Sequence, residues 1–297
     1  MPDLKIPVLN RRGFVALAAC ASMLPAATDT KFRPLFDGRT LKGWKAMPRV
    51  AMPRFPGAPE PNKESEMYKR MAANVGEWTV VDGAIVGGQS PAGSGLGAYL
   101  VSEEKFDDFE LKLEARPDYP VDTGIMIRTV PEGNVGIQVL LDHRPKGAIA
   151  GYYGNGLAGF HAYEYAFAGE RNEAGRLVKL TPEKPTEQSA RVPLDFMASP
   201  EVFLKVWKID GWNEFRIRSV GALPRVTTWI NGEKISELDV AKVSLPAFDP
   251  AAALKRIGRS GHIAFEVHNN DPKIGKDRWW PGAVCRWRKI SIRRITA

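Results

Sequence analysis

The sequence predicts an all-β protein, a sandwich or jelly roll of two antiparallel sheets with long loops. Three observations lead there. Many short segments alternate apolar and polar residues with the period of two that marks strands. Two-residue turn signals, Asp82-Gly83 and Asn231-Gly232 among them, punctuate the chain at fairly even intervals. Helical periodicity is almost absent, the best candidate being ESEMYKRMAANV at 64–75. No propeller-type repeat and no domain linker interrupts the pattern, so residues 28–297 are read as one domain.

The N-terminal 27 residues are set apart. Asn10-Arg11-Arg12-Gly13-Phe14 resembles a twin-arginine export signal, followed by an Ala-rich apolar run and Pro25-Ala26-Ala27 as a cleavage zone. The competing reading, a basic helix of the folded domain, does not account for the order of arginine pair, apolar run and small-residue exit. Leu17-Ala18-Ala19-Cys20 could serve as a lipobox with Cys20 lipidated, but the apolar run before it is short, and simple cleavage is preferred. Either route implies export to the periplasm or beyond. Without this segment Cys285 is the one cysteine left, so neither an internal disulfide nor a thiolate metal cluster is expected.

Composition narrows the class further. With 297 residues, 44% hydrophobic and 26% charged, the chain can bury a substantial core. The net charge of +8 is spread along the chain rather than blocked, which reads as a solvated basic surface and not a nucleic-acid stripe. No apolar run approaches the roughly 20 residues of a membrane-spanning helix. Nothing in the pattern points to a protein partner.

Along the mature chain, residues 46–64 carry prolines at 48, 53, 56, 59 and 61, which suit an extended surface loop bordering a cleft. GEWTVVDGAIVGG reads as a hairpin, and AYLVSEEKFDDFELKLEARPDY as two strands. Residues 121–144 form two strands around PEGN. Ile125 and Ile127 share one face, as do Ile137, Val139 and Leu141. Met126, Arg128, Gln138, Leu140 and Asp142 take the other. Arg, Gln and Asp on adjacent strands could floor a polar cleft or merely wet an outer face. Residues 145–200 are irregular, rich first in Gly and aromatics and then in Pro. WNEFRIRSV, TTWINGEKIS, GHIAFEVHNND and VCRWRKISIRRI supply the remaining strands.

The chemistry concentrates in residues 261–271. Glu266 and His268 lie about 6.6 Å apart along one strand face, opposite Ile263, Phe265 and Val267. An imidazole and a carboxylate on one face can act as base and acid near neutral pH; the alternative is a histidine that does no more than bond a neighbouring strand. A metal held by Asp142, His143 and His268 is the rival arrangement. The four histidines show no ligand spacing such as HExxH, so no cofactor or metal is expected. P-loop, GxSxG and strand-to-helix GxGxxG motifs are absent. Trp279-Trp280 and the group Tyr152, Tyr153, Phe160, Tyr163 and Tyr165 could stack on sugar rings, with about half of them equally suited to the core.

FRPLFDGRTLKGW, GEWTVVDGAIVGG, FDDFELKLEAR, DTGIMIRT, GIQVLLD, GWNEFRI, WINGEKI, GHIAFEVHNND and CRWRKISIRRI follow one another in an order that resembles the 3-keto-disaccharide hydrolase domain family, over roughly residues 31–295. The resemblance implies a concanavalin-like jelly-roll sandwich, similar to laminarinase-type glucanases. It also implies an exported bacterial enzyme acting on glycosides with a ketone at carbon 3, by hydrolysis or by elimination. The family's strand ending in Arg matches Arg128, and its Glu/Gln-x-x-Asp strand matches Gln138 and Asp142, with Ile137 where an acidic residue is common. Its Gly-x-Ile-x-Leu-Gln-x-His strand matches Gly261 to His268, with Glu266 replacing the usual Gln. The roles implied are Glu266 or His268 as base, Arg128 as oxyanion partner and Asp142 as orienting group or acid. Gln138, His143, Tyr153, Trp279 and Trp280 would contact a saccharide substrate. A direct hydrolytic route would pair Asp142 with Glu266 around the glycosidic bond. A non-catalytic carbohydrate-binding module of the same fold is the alternative function.

Overall fold

The structure, a computed structural model, describes residues 31–186, 190–271 and 278–295. The expected targeting segment and Cys20 lie outside them. Two antiparallel sheets face each other across a continuous apolar core. The seven-stranded sheet runs, edge to edge, through His161–Ala162, Ile149–Asn155, Gly136–His143, Val121–Thr129, His262–Val267, Ala98–Ser102 and Trp44–Pro48. The second sheet centres on Phe109–Pro117 and Cys285–Arg294, with Asn213–Val220, Arg225–Ile230 and Glu233–Asp239 on one side and the Glu77–Val81/Ala84–Gly88 hairpin on the other. This is the jelly-roll sandwich that the alternation predicts.

Alternation decides which face is core. Ile125, Ile127, Ile137, Val139, Leu141, Ile263, Phe265 and Val267 all point between the sheets, where each is fully buried. Trp44, Phe265 and Trp287 stack in a column from one sheet to the other, with centroids 5.2 and 4.8 Å apart. Rings of this size dominate core energetics, and truncating Phe265 to alanine costs about 3–5 kcal/mol. A polar rivet sits beside them. The Tyr152 hydroxyl lies 3.0 Å from Thr228 Oγ1 and accepts from Ser236 Oγ at 2.9 Å, so it pins the Ile149–Asn155 strand to the opposite sheet.

The turn signals hold. Asp82 and Asn231 take positive φ (49° each) ahead of Gly83 and Gly232, the left-handed pair that a two-residue hairpin turn requires. The helix expected at 64–75 is shorter, Glu66–Ala72, because Ser65 caps it at Tyr68 N and nothing apolar on it is buried. Two further short helices, Pro200–Val206 and Pro250–Ile257, start at Ser199-Pro200 and Asp249-Pro250 caps that strand alternation does not reveal. None of the helices described is long and apolar enough to cross a membrane.

Candidate active site

The outer face of the seven-stranded sheet carries a cleft of about 500 Å³. Asp122, Gln138, Leu140 and Asp142, even-numbered residues of the two strands, form its floor, on the face that alternation assigns them. Asp122 and Asp142 are direct cross-strand partners, and so are Met126 and Gln138. Gln138, Asp142, Tyr153 and His268, all expected at a site, line it together with Arg49, Asp122, Arg144, His161, Tyr163 and Arg278.

Glu266 lies beneath this floor with no exposed surface. Arg49 Nε donates to its Oε1 at 2.7 Å, the Tyr99 hydroxyl donates to the same oxygen at 3.2 Å, and Gln138 Nε2 donates to Oε2 at 2.5 Å. Two local features permit that sealing. Gly124 has no side chain, and a Cβ there would stand 2.4 Å from Gln138 Nε2, so glycine leaves the channel through which Gln138 reaches Glu266. Arg49 follows the Trp44–Pro48 edge strand and lays its guanidinium over the Tyr99 ring, 5.9 Å from the centroid, on the way to Glu266. Burial works against the charge of Arg49, but Tyr99 and the ion pair with Glu266 outweigh it and hold the guanidinium charged, while burial pushes the Tyr99 hydroxyl well above its ordinary value. Glu266 is therefore an internal counter-ion. It does not reach the cleft as a base, nor does it form a carboxyl pair with Asp142 around a bond.

His268 is placed differently. Its Nδ1 lies 2.6 Å from the Asn269 carbonyl oxygen, which can only accept, so Nδ1 carries the proton and Nε2 presents a lone pair. Arg49 Nη2 donates to that Nε2 at 2.7 Å, and Asp122 Oδ2 stands 3.9 Å away. Burial first, then the charge of Arg49, lowers its pKa to about 4, so the ring is neutral at pH 7.

The two aspartates diverge. Burial would raise Asp122, but His268, Arg144 and Arg278 hold it below the usual carboxylate range, with Arg278 Nη1 donating to Oδ2 at 2.6 Å. Asp142 is pushed well above that range, first by burial and then by the charge of Asp122 opposite it, although Arg144 Nε stands 2.9 Å from its Oδ1. Facing carboxyls driven in opposite directions in this way favour ionisation of Asp122 and protonation of Asp142.

Several expected site residues fall elsewhere. Arg128 does not face the cleft. The Val121–Thr129 strand carries one extra residue opposite Ile263, a bulge with Arg128 at φ 51°, and the bulge turns its side chain out of the alternation. Its guanidinium is fully buried, donating from Nη2 to Asp108 Oδ1 at 3.1 Å and to the Gly221 carbonyl at 2.9 Å. His143 points to the opposite face from Asp142 and packs edge-on to Tyr119 and Trp207, where burial lowers it to about 4. Asp142, His143 and His268 therefore do not converge on a metal position. Trp279 is core, its Nε1 donating to the Ala283 carbonyl at 2.8 Å. Trp280 borders a separate hollow with Tyr119, beside Arg171. Of the other aromatics, Tyr152, Phe160 and Tyr165 are core, while Tyr153 and Tyr163 line the cleft.

Sequence reasoning missed Arg49, Asp122, Arg144 and Arg278. Asp122 had a signal, since it shares the parity of Gly124 and Met126 on a strand already assigned to the floor. The arginines had none, because they sit in loops where no period fixes direction.

Among solved structures, a candidate glycosyl hydrolase of Parabacteroides distasonis ATCC 8503 is similar over 89% of this chain and 94% of its own, at 15% identity and a TM-score of 0.47. The carbohydrate-binding module CBM66 of Bacillus subtilis is similar over 73% of this chain and 91% of its own, at 8% identity and a TM-score of 0.35. A search of curated proteins finds no match. Residues 31–293 match the family model of the 3-keto-alpha-glucoside-1,2-lyase-like domain, nearly the whole of the described chain, and the protein belongs to that family.

Proposed function

We propose that the protein is an exported enzyme that cleaves the glycosidic bond of 3-keto-glycosides by elimination. The observation that carries this reading is the pair Asp122 and Asp142, cross-strand partners whose surroundings shift their carboxyls in opposite directions, with the His268 imidazole 3.9 Å from Asp122. A ketone at C3 acidifies the C2 proton. His268 Nε2 takes that proton, and the electron pair of the C2–H bond forms the C2–C3 double bond of an enolate. Arg49, released from Nε2 as the imidazolium forms, pairs with the enolate oxygen, and Asp122 stabilises the imidazolium. When Arg49 leaves, the charge that depresses His268 leaves with it, so the base strengthens at the step that needs it. The C3 carbonyl then reforms, a C1–C2 double bond appears, and the C1–O bond breaks. Asp142 delivers its proton to the departing oxygen. The products are an alcohol and an unsaturated keto sugar, to which water can add.

The burial of Glu266 favours this route over direct hydrolysis by an Asp142–Glu266 pair, because a sealed carboxylate cannot flank the bond. The twin-arginine segment at residues 10–14 supports action outside the cytoplasm. The test is incubation with a 3-keto-disaccharide and with its unoxidised parent, followed by NMR. Turnover of the keto form alone supports the reading. Binding of both without turnover of either would make the protein a carbohydrate-binding module instead.

A further inference from the structure

The cleft holds more positive charge than the elimination requires. Arg49, Arg144, Lys146 and Arg278 line it with the carboxyls of Asp122 and Asp142, and Arg49 is also paired with the buried Glu266. A single cation suffices for an enolate oxygen. Several arginines elsewhere in the molecule are matched with carboxylates, as Arg225 is with Glu237 and Asp239 and Arg288 with Glu114. Around the cleft, Arg54 and Arg191 have no carboxylate partner among the described residues.

Both stand at the end of the cleft marked by His161. Arg191 lies over the ring of Tyr163, 5.1 Å from its centroid, and its Nε and Nη2 are buried without a hydrogen-bond partner. Arg54 meets the Tyr153 hydroxyl over Gly159, where a Cβ would stand 3.1 Å from Arg54 Nη2 and 3.3 Å from the Tyr153 oxygen. The hollow of about 400 Å³ that Arg54 lines shares Arg49, Tyr153 and Asn155 with the main cleft, so the two adjoin. The buried N–H groups of Arg191 need acceptors, Arg54 is exposed beside them, and the planar fork of each matches a carboxylate, sulfate or phosphate better than it matches a sugar hydroxyl. His161, between them, supplies no compensating charge. Burial and then Arg54, Arg191 and Arg278 lower it to about 4.

We propose that the cleft takes an acidic saccharide, and that Arg54 and Arg191 hold its carboxylate, sulfate or phosphate at the His161 end. This names the substrate class of the site described above and rests on that reading only for the placement of the sugar.

The test is ligand binding to the full chain, measured by NMR titration with glucose, glucuronate, glucose 6-sulfate and glucose 6-phosphate. At least one anion should bind about tenfold more tightly than glucose, the scale of one charge-assisted contact. That advantage should shrink at about 0.5 M salt, and the anion preferred identifies the acidic group. The double variant R54M/R191M should bind all four ligands like glucose. The pair R54K/R191K, which keeps the charge and loses the fork, should show an intermediate ratio even if the methionine pair is too unstable to measure. Equal affinity for all four ligands, or a preference unchanged in both double variants, overturns the proposal. Turnover of neutral 3-keto-disaccharides without an anion preference would refute this inference alone. Anion preference without turnover of any keto sugar would refute the elimination alone.

Discussion

Replacing Glu266 by glutamine tests whether this carboxylate is an internal counter-ion. The substitution keeps the shape and one acceptor for Arg49 Nε and the Tyr99 hydroxyl, but it removes the charge and turns an NH₂ toward Gln138 Nε2, itself a donor. Removing one partner of a buried ion pair costs about 3–5 kcal/mol. Arg49 retains 19% side-chain exposure and the retained acceptor softens the loss, so about 2–3 kcal/mol is expected here. For a domain of this size that corresponds to a fall of roughly 5–10 °C in Tm, read by calorimetry or by urea unfolding at pH 7. Arg49→Met should relieve part of the damage, because the stranded cation is then gone. The double variant should therefore cost at least about 1 kcal/mol less than the two singles added together. A Glu266→Gln protein melting within about 1 °C of the parent, or strict additivity with Arg49→Met, would refute the counter-ion assignment.

The remaining predictions concern acid, base and scaffold. Asp142→Asn removes the proton donor and should lower kcat on a 3-keto-glycoside by about 10²–10⁴ with little change in KM. Activity should rise with pH through about 4 as His268 becomes neutral, and fall at higher pH as Asp142 loses its proton, a bell-shaped rate profile. Stability should drop on acidification. His143 is depressed to about 4 in the folded state, so its contribution is complete above its unfolded value near 6.5 and is lost as pH falls through about 4. Denaturant titrations across that window should register roughly 3 kcal/mol from this residue alone, and His143→Phe should abolish that part of the slope. Arg128→Met should cost about 1–3 kcal/mol of stability, because Asp108 loses its buried partner but keeps Arg259 and the Gly221 N–H, and leave kcat and KM unchanged. A loss of kcat at unchanged Tm would return Arg128 to the catalytic group.

The parity of the strands was legible because a period of two depends on nothing beyond the strand itself. It placed Ile125 and Val139 on the aliphatic face, and Gln138 and Asp142 together on the polar one, before any pairing was known. It failed at Arg128 because one extra residue in the ladder reverses parity, and a bulge is fixed by the partner strand, where Ile263 faces two residues instead of one. Glu266 was correctly placed on the cleft side of its strand. Its depth was not legible, since that depends on Gly124 opening a channel for Gln138 and on Arg49 arriving from 217 residues away. His143 was misplaced for a simpler reason. Adjacent strand residues point to opposite faces, and the Gly136–His143 strand includes His143, so it faces away from Asp142. The Pro-rich loop was recognised as a cleft border, but nothing in its composition marked Arg49 as the residue that reaches in.

The central claim is that a proton leaves C2 before the C1–O bond breaks. The direct measurement is cleavage of a 3-keto-disaccharide in D₂O, with the product followed by NMR against a control without enzyme. Elimination followed by addition of water predicts deuterium at C2 of the keto-sugar product at the rate of cleavage, and no reaction of the unoxidised parent. Release of the same product with its C2 proton intact, or equal cleavage of the unoxidised parent, would contradict the account.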